Sequence, residues 1–199
     1  NDDGHVDVCA RGAAGIYCAL RDRLQRRFEP MTLWTNQFSN ARGWNRVQYY
    51  STIQFADVNR DGAADVCGRG GAGVYCSLAN VRSETFINER FTAPYFSNAN
   101  GFNRSKYYRS FRLVDVNGDD KADLCARHTD GLYCAINQSV LWEPRFAPAI
   151  RWINNFGDNF GWDVLESYWG TVQPARVRGA DTTIKFCGRG YGGIHCSNR

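Results

Sequence analysis

Two stretches of the chain set oxygen-bearing side chains at a spacing that suits a hard cation. Residues 57–65 carry Asp57, Asn59, Asp61 and Asp65, with Gly62 between the last two. Residues 115–123 carry Asp115, Asn117, Asp119 and Asp123, with Asp120 at the glycine's place. Several oxygens from one short loop are what calcium takes. The glycine permits the sharp turn, and Asp tolerates a left-handed backbone there less well. The first residues of the chain, Asn1, Asp3 and Asp7, repeat the pattern without its first ligand and make a weaker site. A fourth copy has Val177, Gly179, Asp181 and Lys185, and a lysine opposes a cation. The bidentate acid that closes an EF-hand is missing, since Gly68 and Ala126 stand at that position. A short apolar run follows in place of a helix, so these are not EF-hands. Without a metal the same residues read as Asx turns between strands.

The elements that position these loops follow from the cysteines. Cys9, Cys67, Cys125 and Cys187 lie 58, 58 and 62 residues apart, and each has a partner nine residues on: Cys18, Cys76, Cys134 and Cys196. All 8 cysteines of the 199-residue chain fall in this pattern, which makes it a repeat protein. Between the cysteines of each pair lie two β-prone runs around a Gly-rich turn, which read as a hairpin. In such a hairpin the two cysteines face one another at about the separation a disulfide needs. The expected bonds are Cys9–Cys18, Cys67–Cys76, Cys125–Cys134 and Cys187–Cys196. Zinc is the poorer reading, because it prefers shorter cysteine spacing and the chain has only 3 His. Four disulfides point to an oxidising, extracellular compartment and a secreted protein.

A strand before each acidic loop, two in the hairpin and one before an aromatic-rich loop make four per repeat. Alternation over 50–55 reads as the first of these. No long stretch shows helical periodicity. The fold class expected is therefore all-β, a β-propeller of ~58-residue four-stranded repeats. Repeat units lie near 1–50, 51–108, 109–168 and 169–199, within a single domain. The strands count three, four, four and three. That describes a compact propeller of about four blades or part of a larger ring, completed by a homo-oligomer or a longer parent chain. The chain begins inside a repeat, as a processed product or a fragment would.

Aromatics at 14%, Gly at 20 residues and one Met suit such a fold. No apolar run reaches the length of a membrane span. The net charge of +4 is spread among acids, without the basic patch that nucleic-acid binding needs. His5, His128 and His195 lie near no recognisable nucleophile, and no catalytic constellation assembles. An enzyme is not expected.

The order of acidic loop, short strand, Gly-rich turn and strand resembles the FG-GAP/VCBS repeat of β-propellers. With Asn154-Asn155-Phe156-Gly157, then Gly161-Trp162, a further strand and an acidic loop, it is similar to the Psathyrella velutina lectin family. The resemblance covers nearly the whole chain. It implies calcium in the acidic loops and N-acetylglucosamine or sialic acid in pockets between neighbouring blades. The chain departs from that family in three ways. It is too short for seven blades, it carries a cysteine pair in every hairpin, and it has Arg11, Arg69, Arg127 and Arg189 where the lectins tend to have an aromatic.

A sugar site needs an aromatic face and convergent amide or carboxylate groups. The loops 36–45, 97–103 and 154–163 hold both. Trp44, Phe102 and Trp162 are candidate platforms, and Asn36, Asn40, Asn98, Asn103, Asn155 and Asp163 are candidate polar partners. The same aromatics would serve equally as packing between blades. The four arginines could meet an anionic sugar or a peptide carboxylate, or be satisfied by acids at the blade edge. The function expected is a secreted, calcium-binding, multivalent lectin or lectin-like module whose partners are glycans. The alternative is a non-catalytic protein-interaction or inhibitor module associated with a secreted hydrolase.

Overall fold

The computed structural model describes residues 4–22, 24, 27–176 and 184–197. These form four antiparallel sheets, each made of strands consecutive in sequence. The first holds β1 (Val8–Gly12), β2 (Gly15–Ala19) and β3 (Thr32–Thr35). The second holds β4 (Gln54–Ala56), β5 (Asp65–Arg69), β6 (Val74–Asn80) and β7 (Thr85–Ala93). The third holds β8 (Arg112–Val114), β9 (Asp123–His128), β10 (Gly131–Ala135) and β11 (Ile150–Ile153). The fourth holds β12 (Gln173–Arg176), β13 (Ile184–Gly190) and β14 (Gly193–Cys196). The strands thus run three, four, four and three, as the repeat pattern implies.

Each hairpin carries a disulfide, and two residues separate its strands in the first, third and fourth sheets and four in the second. Cys67 pairs directly with Cys76 in the ladder, and Cys9, Cys125 and Cys187 pair likewise with Cys18, Cys134 and Cys196. The four bonds join these partners, with Cα atoms 4.0–4.2 Å apart. Register alone brings them there, since directly opposed residues of a non-hydrogen-bonded pair are the closest in a sheet. The last residue of the turn in the second sheet is Gly73, at φ 149°. A Cβ there would lie 2.4 Å from the carbonyl oxygen of Ala93, so β7 can approach only a glycine.

The apolar core is divided into layers between consecutive sheets. Ile16, Trp34, Trp44, Val66 and Phe86 fill the first layer. Val74, Phe96, Phe102, Phe111 and Leu124 fill the second, and Val116, Leu132, Phe156, Trp162 and Phe186 the third. The first strands of neighbouring sheets also touch. The Gln54 amide donates to the carbonyl of Phe111 at 2.6 Å and accepts from the N–H of Leu113 at 3.0 Å, tying β4 to β8.

One expectation fails. The alternating run at 50–55 is not a strand throughout; β4 begins only at Gln54. The preceding residues form a single helical turn, α1 (Val47–Tyr50), repeated as α2 (Ser105–Tyr108) and α3 (Glu166–Trp169). Hydroxyls close the exit from α1: Ser51 Oγ donates to the Val47 carbonyl and Thr52 Oγ1 to that of Tyr49. Ser and Thr readily make such local bonds, and four residues are too few to show a helical period.

Candidate functional site

The acidic loops are built from the carboxylates inward. Asp57 Oδ1 accepts N–H bonds from Asn59, Arg60 and Asp61, and its Oδ2 accepts that of Gly62 at 2.9 Å. Asp115 repeats the arrangement with Asn117, Gly118, Asp119 and Asp120. Arg60 and Asp120 take the left-handed backbone, at φ 63° and 66°. Asn59 Nδ2 donates to Asp61 Oδ2 at 2.8 Å, and Asn117 Nδ2 to Asp119 Oδ2 at 3.2 Å.

The last acid of each loop is set apart. Asp65 is wholly buried and accepts the N–H groups of Val58 and Ala79, at 2.9 and 2.8 Å. Asp123 does the same with Val116 and Asn137. Burial pushes Asp65 up to about 7 and Asp123 to about 6, against the lowering effect of those backbone bonds. The geometry therefore splits the expected ligand set. Asp57, Asn59 and Asp61, like Asp115, Asn117 and Asp119, are gathered on one loop, while Asp65 and Asp123 fasten the loop to the next strand. No three His, Cys, Asp or Glu side chains converge on one point among the described residues. Asp7 accepts the N–H of Arg21, and Asn1 and Asp3 lie outside the described residues.

Three of the four repeated arginines, Arg11, Arg69 and Arg127, make structural contacts, whereas Arg189 is exposed. Arg69 and Arg127 are fully buried. Arg69 donates to the carbonyls of Phe96 and Gln48 and to Asn98 Oδ1, and its guanidinium lies 5.3 Å from the Tyr49 ring centre. Arg127 reaches the carbonyls of Phe156 and Lys106 and Asp158 Oδ1, the last at 2.7 Å. Arg11 reaches the Phe38 carbonyl and Asn40 Oδ1. Each clamps a hairpin to the loop that leaves the same sheet. Asn40 and Asn98 are thereby committed within the protein, and Asn98 also donates to the Tyr49 hydroxyl at 2.9 Å.

Between the loop of one sheet and the hairpin turn of the next lies a repeated cleft. In the first, of about 370 Å³, Gln37, Trp44 and Tyr49 face Gly70, Gly71 and Tyr75. In the third, of about 440 Å³, Asn155, Trp162 and Tyr168 face Gly190, Gly192 and His195. The indoles are mostly buried, 6% and 8% exposed, so each offers an edge and not an open face. Glycines make room for them: a Cβ on Gly68 or Gly188 would come within 2.8 Å of the ring of Trp44 or Trp162. In the middle repeat the equivalent pair is Ala126 and Phe102, a larger residue beneath a smaller ring.

The carbonyl oxygens of Gln37 and Asn155 are buried and have no hydrogen-bond partner among the described residues. These two residues hold equivalent positions, two places before the Ser or Gly that opens each loop's 3-10 turn. An unmet buried acceptor costs about 1–3 kcal/mol. Two at one repeated position, each in a cleft-lining residue, mark a place for a donor. Asn155 was among the residues the sequence singled out; Gln37 was not, although the repeat alignment pairs them.

The other predicted partners fall elsewhere. Phe102 is completely buried against Tyr95, Phe96, Tyr107 and His128 and has no face free for a ligand, because the middle layer closes over it. Asn36 and Asn103 are exposed, and neither lines the first or third cleft. Asp163 is held by Lys106 at 3.4 Å. Its neighbour Asp158 takes Lys106, the Tyr107 hydroxyl and Arg127 together. Burial alone would raise the Asp158 carboxyl, but these three partners hold it below the usual range.

The fold has a solved counterpart. A lectin from Agrocybe aegerita, described as recognising non-reducing terminal N-acetylglucosamine, superposes with a TM-score of 0.78 at 24% identity. The match takes in 94% of this chain and 44% of that one, so this chain spans less than half of the lectin's length. No family model matches the sequence, and no curated protein does. The likeness is one of fold. The clefts stand on their own geometry.

Proposed function

We propose that the protein is a carbohydrate-binding module of a β-propeller, with its sugar sites in the first and third clefts. The observation that carries this reading is the buried, unpartnered amide oxygen repeated at Gln37 and Asn155 beside an indole and two glycines. The torsion that ends an Asn or Gln side chain is soft, so a small rotation turns the oxygen toward a ligand donor. A sugar hydroxyl or acetamido N–H is such a donor, and the indole edge and tyrosine ring cover its apolar side. Terminal N-acetylglucosamine, named for the lectin of like fold, fits that description.

The remaining parts of the reading follow from the repeat. Two equivalent sites on one chain would give avidity toward clustered glycans without any new contact. The disulfides suit an extracellular setting. Calcium, if bound, would be held by Asp57, Asn59 and Asp61 and by Asp115, Asn117 and Asp119, where it would stiffen the loops that lead into the hairpins.

The test is a glycan array of the purified protein, in calcium and again in EDTA, with N-acetylglucosamine as competitor. Binding to terminal N-acetylglucosamine that the free sugar displaces is expected. Silence across a broad array in both conditions overturns the sugar reading and favours a protein partner.

A further inference from the structure

The walls of the cleft recur three times along the described chain, but in the middle copy a side chain stands where the other two have a glycine. Gly70 and Gly190 line the open clefts. His128 stands at the same place, directly after the repeated arginine. Its ring lies 4.6 Å from the Tyr107 ring and 5.0 Å from that of Phe102, centre to centre, and 6.2 Å from Tyr133. Those three are the counterparts of Tyr49, Trp44 and Tyr75, which surround the first cleft. The imidazole therefore occupies the space that the same walls enclose as a cavity elsewhere. It is also anchored: Nε2–H donates to the Asn100 carbonyl at 2.8 Å, and Thr129 Oγ1 lies 3.2 Å from Nδ1. The unmet amide of the open clefts is gone too, since Tyr95 replaces Gln37 and Asn155 and stacks on Tyr133 at 5.0 Å.

We propose that His128 is a built-in plug that closes the middle cleft, so that this residue sets the number of sugar sites on the chain. The inference rests on the reading of the open clefts as sugar sites. It goes beyond it by assigning the middle cleft as a vacated member of the set, filled by its own side chain. A ligand in this cleft would have to displace a ring held by two polar partners and three aromatic ones, whereas glycine at 70 and 190 presents only backbone.

Equilibrium dialysis of the intact protein against labelled N-acetylglucosamine at saturation counts bound sugar per chain. His128→Gly, alone and with Tyr95→Gln to restore the amide, is expected to raise the count by one. Gly70→His, which places the plug in the first cleft, is expected to lower it by one. Gly70 has an ordinary backbone conformation, and only the Tyr75 ring, 2.8 Å from a Cβ there, must shift. Should the His128 variants not fold, the Gly70 variant decides alone. Sugar bound by the wild type, with no gain in either His128 variant or no loss in Gly70→His, overturns the plug and leaves the lectin reading standing. A wild-type protein that binds no sugar overturns both.

Discussion

Replacing Gly68 by Ala tests the packing beneath the first cleft. The new Cβ would lie 2.8 Å from Trp44 Cζ3, 2.9 Å from Cη2 and 3.0 Å from Ile53 Cγ1. Such contacts are too short to persist, and Trp44 is also packed on Phe38, Tyr49 and Tyr75, so its ring cannot shift without disturbing them. Overpacking a filled core costs about 1–3 kcal/mol. The Gly→Ala change offsets part of it, about 0.4–1 kcal/mol, by restricting the unfolded chain. A net loss of about 1–2 kcal/mol follows. Trp44→Phe alone leaves a cavity and costs a similar amount. The two together reproduce the Ala126 and Phe102 pair of the middle repeat, which the protein already packs with both residues fully buried. The double variant is therefore expected to be more stable than the sum of the single effects by about 1 kcal/mol or more. Urea denaturation of the oxidised protein, read from the midpoint at constant slope, measures all four species. Additivity within about 0.5 kcal/mol, the value for independent sites, would refute the claim that glycine size is set by the ring above it.

Three further outcomes follow. Arg69→Ala removes a buried guanidinium from two carbonyls and Asn98, and should cost about 3 kcal/mol in urea, whereas the same change at exposed Arg189 should cost less than about 0.5 kcal/mol. If the acidic loops hold calcium, a hundredfold excess over Kd should add about 2.7 kcal/mol to unfolding, seen as a rise in Tm that EDTA reverses and that Asp57→Asn with Asp115→Asn abolishes. An unchanged Tm would leave the loops as hydrogen-bonded turns alone. Asp158 is held below its ordinary pKa, so its contribution is present above the unfolded value near 3.8 and lost as pH falls through the folded one. Acid unfolding of Asp158→Asn should accordingly show a shallower loss of stability below pH 4 than the wild type.

Much of the architecture was legible because it is repeated. Four evenly placed cysteine pairs fixed the hairpins, and hairpin register fixed the disulfides, since opposed residues in a ladder have only one partner. Strand order followed from the same count. The helical turns at 47–50, 105–108 and 166–169 were not legible, because four residues are too few to show a helical period. The arginines could be read either way from sequence. Burial decided for an internal role at Arg69 and Arg127, with backbone carbonyls as partners more often than acids. Only the fold separated Asp65 and Asp123, which are buried and fastened to backbone near the far end of the hairpin, from the three polar residues before them.

The sequence by itself determined the repeat, the antiparallel sheets and their disulfides, because these depend on spacing along one strand or across one turn. The fate of the aromatics was decided by tertiary structure alone. Trp44, Phe102 and Trp162 occupy one position in the repeat, yet two edge open clefts and one is sealed. The difference lies in residues distant in sequence, Gly70, His128 and Gly190, which reach them only when the next sheet packs against the loop. Whether an aromatic becomes a wall of a site or part of the core is a property of the volume left between two sheets, and that volume does not exist until both have folded.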